Sequence, residues 1–120
     1  MKVAFTTSGN DLNAPLDPRF GRATQFLIYD TETAETVVVD NNQNLNATQG
    51  AGIQAAQNLA ASGAEALVSG NCGPKAFRVL TAANVAVYST AAATVAEALE
   101  LFKSGKLEQL NTANVEGHWA

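Results

Sequence analysis

This 120-residue chain has one cysteine and one histidine. A single cysteine forms no internal disulfide, which fits a reducing compartment. A protein-built zinc site needs three or four nitrogen or sulfur ligands. Cys72 and His118 supply two. A Cys–His nucleophile pair would require the tail bearing His118 to fold back over Cys72, and termini that fray are poor platforms for such geometry. Cations are scarce as well. Seven Lys and Arg against eleven Asp and Glu leave a net charge of -4, which excludes the basic footprint of a general nucleic-acid binder. No apolar run approaches the ~18 residues of a membrane span. The apolar start Met1-Lys2-Val3-Ala4-Phe5 is shorter than a signal peptide's hydrophobic region. These absences lead us to expect a cytoplasmic monomer with no nucleic-acid or membrane partner.

What remains is ordinary globular material. The hydrophobic fraction is 47%, and a chain of this size closes one core without staples. We expect one domain, residues 1–120. Charge is unevenly spread. Arg19, Arg22, Lys75 and Arg78 lie near glycine or proline loops, whereas Glu97, Glu100, Glu108 and Glu116 fall towards the end.

Along the chain, Lys2 to Thr7 alternates, with Val3 and Phe5 on one face, and predicts a first strand. Ser8 to Ala23 is a long loop rich in Gly, Asn, Asp and Pro, a length usually tied to function or disorder. Gln25 to Asp30 and Thr36 to Asp40 predict two strands joined by a short polar connector, hence an antiparallel hairpin. The run Val37-Val38-Val39 predicts burial on both faces. Asp40 to Gln49 is polar, without period, and reads as a connector or a lid. Gly50 to Gly63 has helical spacing, with Ile53, Ala56, Leu59 and Ala60 on one side and Gly63 as C-cap. Ala64 to Ser69 predicts a buried strand. Pro74 to Ala83 predicts a helix with Phe77, Leu80 and Ala83 inward, ended by a left-handed Asn84. Val85 to Tyr88 predicts a strand. Thr94-Val95-Ala96-Glu97 is a capping box opening a last helix that closes at Gly105. Strand–helix–strand across 64–88 implies a parallel, right-handed crossover. The fold class is α/β: a mixed sheet of about five strands with helices on both faces.

In such sheets ligands lie beyond the carboxyl ends of parallel strands. Gly70-Asn71-Cys72-Gly73-Pro74-Lys75 occupies one such end. Pro74 is suited to a first helical position. The helix start offers unpaired N–H groups and a positive dipole end, an anion site by construction. If the first strand runs parallel to this one, Pro18-Arg19-Phe20-Gly21-Arg22-Ala23 emerges at the same rim, and four cations gather there. Flanking glycines and the dipole predict an exposed Cys72 with a lowered thiol pKa. A polyanion that brings its own sulfides suits this equipment better than a bare metal ion does. Gly50-Ala51-Gly52-Ile53-Gln54-Ala55 fits a dinucleotide pattern only loosely, since no strand leads directly into it. Asp11, Asp17, Asp30 and Asp40 are not positioned as a two-metal set.

At these residues the chain resembles the dinitrogenase iron–molybdenum cofactor biosynthesis family. The resemblance rests on Asp17-Pro18-Arg19-Phe20-Gly21-Arg22-Ala23 followed by Phe26-Leu27-Ile28-Tyr29-Asp30, on Gly50-Ala51-Gly52, and on Gly70-Asn71-Cys72-Gly73-Pro74-Lys75-Ala76. It implies a ribonuclease-H-like sandwich with a five-stranded mixed sheet. It further implies a non-enzymatic carrier of a molybdenum–copper sulfide cluster, or another molybdenum–sulfur cluster, held non-covalently. Carried over by position, the site comprises Arg19, Phe20, Gly21 and Arg22 on one side and Asn71, Cys72, Gly73 and Lys75 on the other. Cys72 is the first candidate for direct metal contact and His118 the second. Some members of the family have no cysteine in this loop. The alternative reading is a metal-free protein–protein adaptor in cofactor maturation or cell division. A third is a small phosphoryl-binding or redox enzyme using Cys72.

Overall fold

Apolar alternation and glycine punctuation lay down the elements of the protein in the computed structural model, which describes residues 1–41 and 51–111. They are β1 (Lys2–Thr7), β2 (Gln25–Asp30), β3 (Thr36–Asp40), α1 (Ala51–Ala61), β4 (Ala66–Ser69), α2 (Pro74–Ala82), β5 (Ala86–Ser89), α3 (Val95–Lys103) and β6 (Glu108–Gln109). The sheet runs β3-β2-β1-β4-β5-β6. β1, β4 and β5 are parallel. β2, β3 and β6 pair antiparallel with their neighbours.

Side-chain alternation divides the core in two. Ala4, Ile28, Leu67 and Val87 face α1 and α2, where they meet Ala55, Ala56, Leu59, Ala76 and Leu80. Val3, Phe5, Leu27 and Val68 face α3 and its Val95, Ala98 and Leu99. Helices therefore cover both faces, as the sequence predicts.

Several expectations need correction. The described sheet has six strands, not five. The sixth, Glu108–Gln109, is two exposed residues with no alternation to announce it. The valine run does not lie buried on both faces: Val37 is 59% and Val38 38% exposed, because β3 is an edge strand. Ala83 is exposed; Leu80 is buried and Phe77 packs half-buried against the same core, as expected, and Ala76 takes the remaining inward place. Asn84 does take the left-handed conformation (φ 63°), as does Gly63 (φ 88°). The box at α3 forms with one slip. Thr94 Oγ1 accepts the Glu97 N–H at 3.2 Å, but the Glu97 carboxylate reaches the Ala93 N–H, at 3.4 Å, one residue early. Such a cap contributes about 1 kcal/mol. The connector or lid at 42–49, Gly50, and the tail with His118 and Trp119 lie outside the described residues.

Candidate functional site

Because β1 and β4 run parallel with Phe5 opposite Val68, both strands deliver their following loops to the same rim. There the two loops are stitched together. Arg19 and Asn71 form an isolated parallel bridge, and the Phe20 N–H donates to the Asn71 carbonyl at 3.2 Å. Beneath them, Thr6 Oγ1 donates to the Asp17 carbonyl at 2.6 Å and lies 3.1 Å from Ser69 Oγ, both within the buried end of the sheet. Ser89 Oγ donates to the Gly70 carbonyl at 2.7 Å, tying the end of β5 into the same lattice. Asp17 Oδ1 accepts the Arg19 N–H at 2.9 Å, turning the chain so that Arg19 leads outward.

The glycine at position 70 makes this approach feasible. A Cβ there would stand 2.7 Å from Pro18 Cα and 2.8 Å from Pro18 O. Its φ lies outside the left-handed region, so close contact rather than torsion demands glycine. An open groove of about 450 Å³ results, lined by Pro18, Gly70, Asn71, Ser89, Thr90 and Ala91. Beside it α2 begins. Gly73 is its N-cap, no side chain caps it, and Pro74 occupies the first turn. Arg19, Lys75 and Arg78 are exposed. Among the described residues none of the three has an ion-pair partner. Lys75 and Arg78 are three apart and share a helix face.

A family model described as dinitrogenase iron-molybdenum cofactor matches residues 1–105. The chain belongs to that family. Similar proteins match it over nearly its whole length. The apo form of the orange protein from Desulfovibrio gigas is 40% identical, with a TM-score of 0.92, over 95% of this chain and 96% of that one. A putative NifB protein from Thermotoga is 40% identical, with a TM-score of 0.84, over 97% and 98%. An uncharacterised protein of Methanocaldococcus jannaschii is 32% identical over 112 residues, 91% of each chain. The chain thus sits among proteins of cofactor-related binding, with a mixed α/β fold matching that of the orange protein.

The residues singled out from the sequence do not all behave alike. Arg19 and Asn71 meet through their backbones, and Lys75 follows in the first turn of α2. Arg22 is half-buried. Phe20 is fully buried and stacks on Phe26 at 5.4 Å between centroids. Its ring anchors the loop, so that Arg19 and Arg22 flank a fixed point. Gly21 and Gly73 are buried backbone. Cys72 departs most from expectation. It is not exposed but 2% accessible, in one cluster with Phe20, Phe26, Ala76 and Leu80. Its Sγ lies 3.8 Å from the Gly73 carbonyl. Burial pushes the thiol up to about 12 from an ordinary 9.0, the reverse of the lowered value that the helix dipole suggested. The residues missed from sequence are Ser89, Thr90 and Ala91. The available signal was their position after the carboxyl end of another parallel strand.

The sign of the Cys72 shift sets a prediction. Below about pH 9 folded and unfolded chains both hold the proton, and the thiol adds no pH dependence. Between about 9 and 12 only the unfolded chain releases it, so stability falls as pH rises. From pH 8 to pH 10 the thiol's share of the loss is about 1 kcal/mol. Urea unfolding at both values should show that difference between wild type and Cys72→Ala. A thiol reagent should label the protein in urea and leave the native state untouched. Rapid native labelling refutes the buried, protonated thiol.

Proposed function

We propose that the protein carries a preassembled molybdenum-containing sulfide cluster, in the molybdenum–copper or another molybdenum–sulfur form, as non-covalently held cargo. The supporting observation is the union of two loops at one rim. It leaves Arg19 and Lys75 exposed beside the uncapped start of α2 and an open groove of about 450 Å³. A cluster of this kind is an anion whose metals are already coordinated by sulfide. Its requirements are charge neutralisation, N–H donors and room.

In this reading Arg19 and Lys75 neutralise charge, with Arg22 behind them. The amides of the α2 first turn donate hydrogen bonds along the positive end of the dipole. Ser89 and Thr90 border the groove with hydroxyls. Cys72 supplies shape behind the loop rather than a thiolate, since a protonated, buried sulfur is a poor ligand. Among the described residues no group of three or more His, Cys, Asp or Glu side chains could hold a metal ion, which favours a cluster that brings its own ligands. A ribonuclease-H-like topology, which the resemblance implies, would by itself bring no nuclease chemistry. Among the described residues no helix is long and apolar enough to cross a membrane.

The experiment is reconstitution. Apo protein titrated with tetrathiomolybdate and a copper salt should develop a visible absorption band that saturates at a fixed molar ratio. The complex should survive gel filtration and unfold at higher temperature, because a ligand bound only to the native state adds RT ln(1 + [L]/Kd). A spectrum equal to that of the reagents alone, with no thermal shift, overturns the proposal.

A further inference from the structure

A chain of buried hydroxyls runs beneath the rim, and its direction follows from the number of protons available. The β1–β4 ladder ends with Phe5 opposite Val68. One residue further on, the hydroxyls of Thr6 and Ser69 meet at 3.1 Å, on residues 0% and 1% exposed. Thr6 Oγ1 also lies 2.6 Å from the Asp17 carbonyl oxygen. A hydroxyl has one proton to give, and a carbonyl oxygen only accepts. The Thr6 proton therefore goes to Asp17. Ser69 is left as the donor to Thr6 Oγ1. The chain runs from Ser69 through Thr6 to the backbone of the loop that carries Arg19.

Thr6 holds Asp17 at a second point. The Asp17 N–H donates to the Thr6 carbonyl at 2.8 Å, so the one residue grips both the amide and the carbonyl of the other. From Asp17 the links to the rim are short. Its carboxylate accepts the Arg19 N–H at 2.9 Å. Arg19 bridges to Asn71, and the Phe20 N–H donates to the Asn71 carbonyl at 3.2 Å. A buried threonine thus fixes the peptide from which an exposed guanidinium springs.

We propose that Thr6 is a positioning residue of the cluster site, acting on Arg19 through Asp17. The proposal rests on the cluster reading for its consequence in binding. Thr6 is fully buried and touches no cargo. Its contribution is to place a charge before the cluster arrives, so that less loop and side-chain freedom is lost on binding. Ser69 is the junior member of the pair. Without it Thr6 still donates to Asp17. Without the Thr6 hydroxyl, the Asp17 carbonyl and the Ser69 hydroxyl both lose their partner, which is the costlier loss. Two adjacent buried hydroxyls should therefore differ sharply in effect.

The first arm of the test uses cluster-free protein. In Thr6→Val, hydrogen exchange at the Asp17, Arg19 and Phe20 amides should speed up several-fold, while Leu27 and Ile28 in β2 keep their rates. Thr6→Ser, which restores the hydroxyl, and Ser69→Ala should both stay close to wild type. Should Thr6→Val fold poorly, Asp17→Ala cuts the next link at a half-exposed residue, and the Arg19 and Phe20 amides should speed up in the same way. The second arm is the cluster titration, run where each variant is folded. Thr6→Val should lose roughly tenfold or more in affinity, as outer-shell hydrogen bonds do. Thr6→Ser should recover it. In an Arg19→Ala background Thr6→Val should add little further loss, because the two act along one line. Unchanged exchange at the three amides overturns the proposal. So do equal losses from Thr6→Val and Ser69→Ala, or a Thr6→Val loss undiminished in Arg19→Ala, either of which makes Thr6 an ordinary core contact. If wild-type protein takes up no cluster, the cluster reading falls, and the exchange arm alone decides whether Thr6 fixes the loop.

Discussion

Replacing Arg19 and Lys75 together by alanine should weaken cluster binding by roughly 100-fold while barely moving the unfolding midpoint. The size follows from the type of contact. A hydrogen bond to a charged group contributes about 1.5–3 kcal/mol, and two at the lower figure sum to about 3 kcal/mol, or roughly two decades in Kd. The stability forecast follows from exposure. Both side chains are exposed and, among the described residues, neither has an ion-pair partner to lose. Surface substitutions of this kind stay within about 0.5 kcal/mol. Salt sharpens the test, since the Debye length is ~10 Å at 0.1 M. Wild-type affinity should fall steeply with ionic strength, and the double variant's should fall less. The absorption titration described above gives both curves. Unchanged affinity in the double variant would place the cargo elsewhere. Cys72→Ala is the companion measurement: if charge and amides hold the cluster, that variant still binds it.

The readings that succeeded from sequence share a cause. β1, β2 and β3 match their predicted bounds because alternation and short polar connectors are local signals. The parallel pairing of β4 with β5 was legible because crossover rules leave few topologies. That β1 also runs parallel to β4 was only a condition of the site; the structure meets it and brings Arg19 and Asn71 to one rim. The failures were non-local. Cys72 read as exposed because its sequence neighbours are glycines and a helix start. Its spatial neighbours include Phe20 and Phe26, some fifty residues away, and they bury it. The three valines of β3 read as central because periodicity says nothing of a strand's place in the sheet order. β6 is too short for any pattern. The groove wall from Ser89 to Ala91 follows the carboxyl end of β5, but these small residues carry no charge or motif of their own to mark them.

Gly70→Ala should damage both stability and binding, and it separates the joining of the loops from the charge they carry. The added methyl would lie 2.7 Å from Pro18 Cα, 2.8 Å from Pro18 O and 3.0 Å from Pro18 Cβ. Two of the three are backbone atoms, and the third belongs to a ring that locks its own φ. Nothing flexible is available to yield, so the loops must part. Overpacking of this kind costs about 1–3 kcal/mol, a fall in Tm on the order of 5–10 °C for a domain of this size. Parting the loops strains the Phe20–Asn71 and Ser89–Gly70 hydrogen bonds, which set the spacing of Arg19 from the start of α2. Affinity should therefore drop at temperatures where the variant is still fully folded. Gly105→Ala is the control. That glycine is left-handed (φ 71°) with open space around it, so alanine there costs about 1–2 kcal/mol of torsional strain and touches no part of the rim. If the two variants lose similar stability and only Gly70→Ala loses cluster, the close approach of two backbones is what builds the site. If Gly70→Ala binds as tightly as wild type, the loops need not meet, and the groove between them is not where the cluster rests.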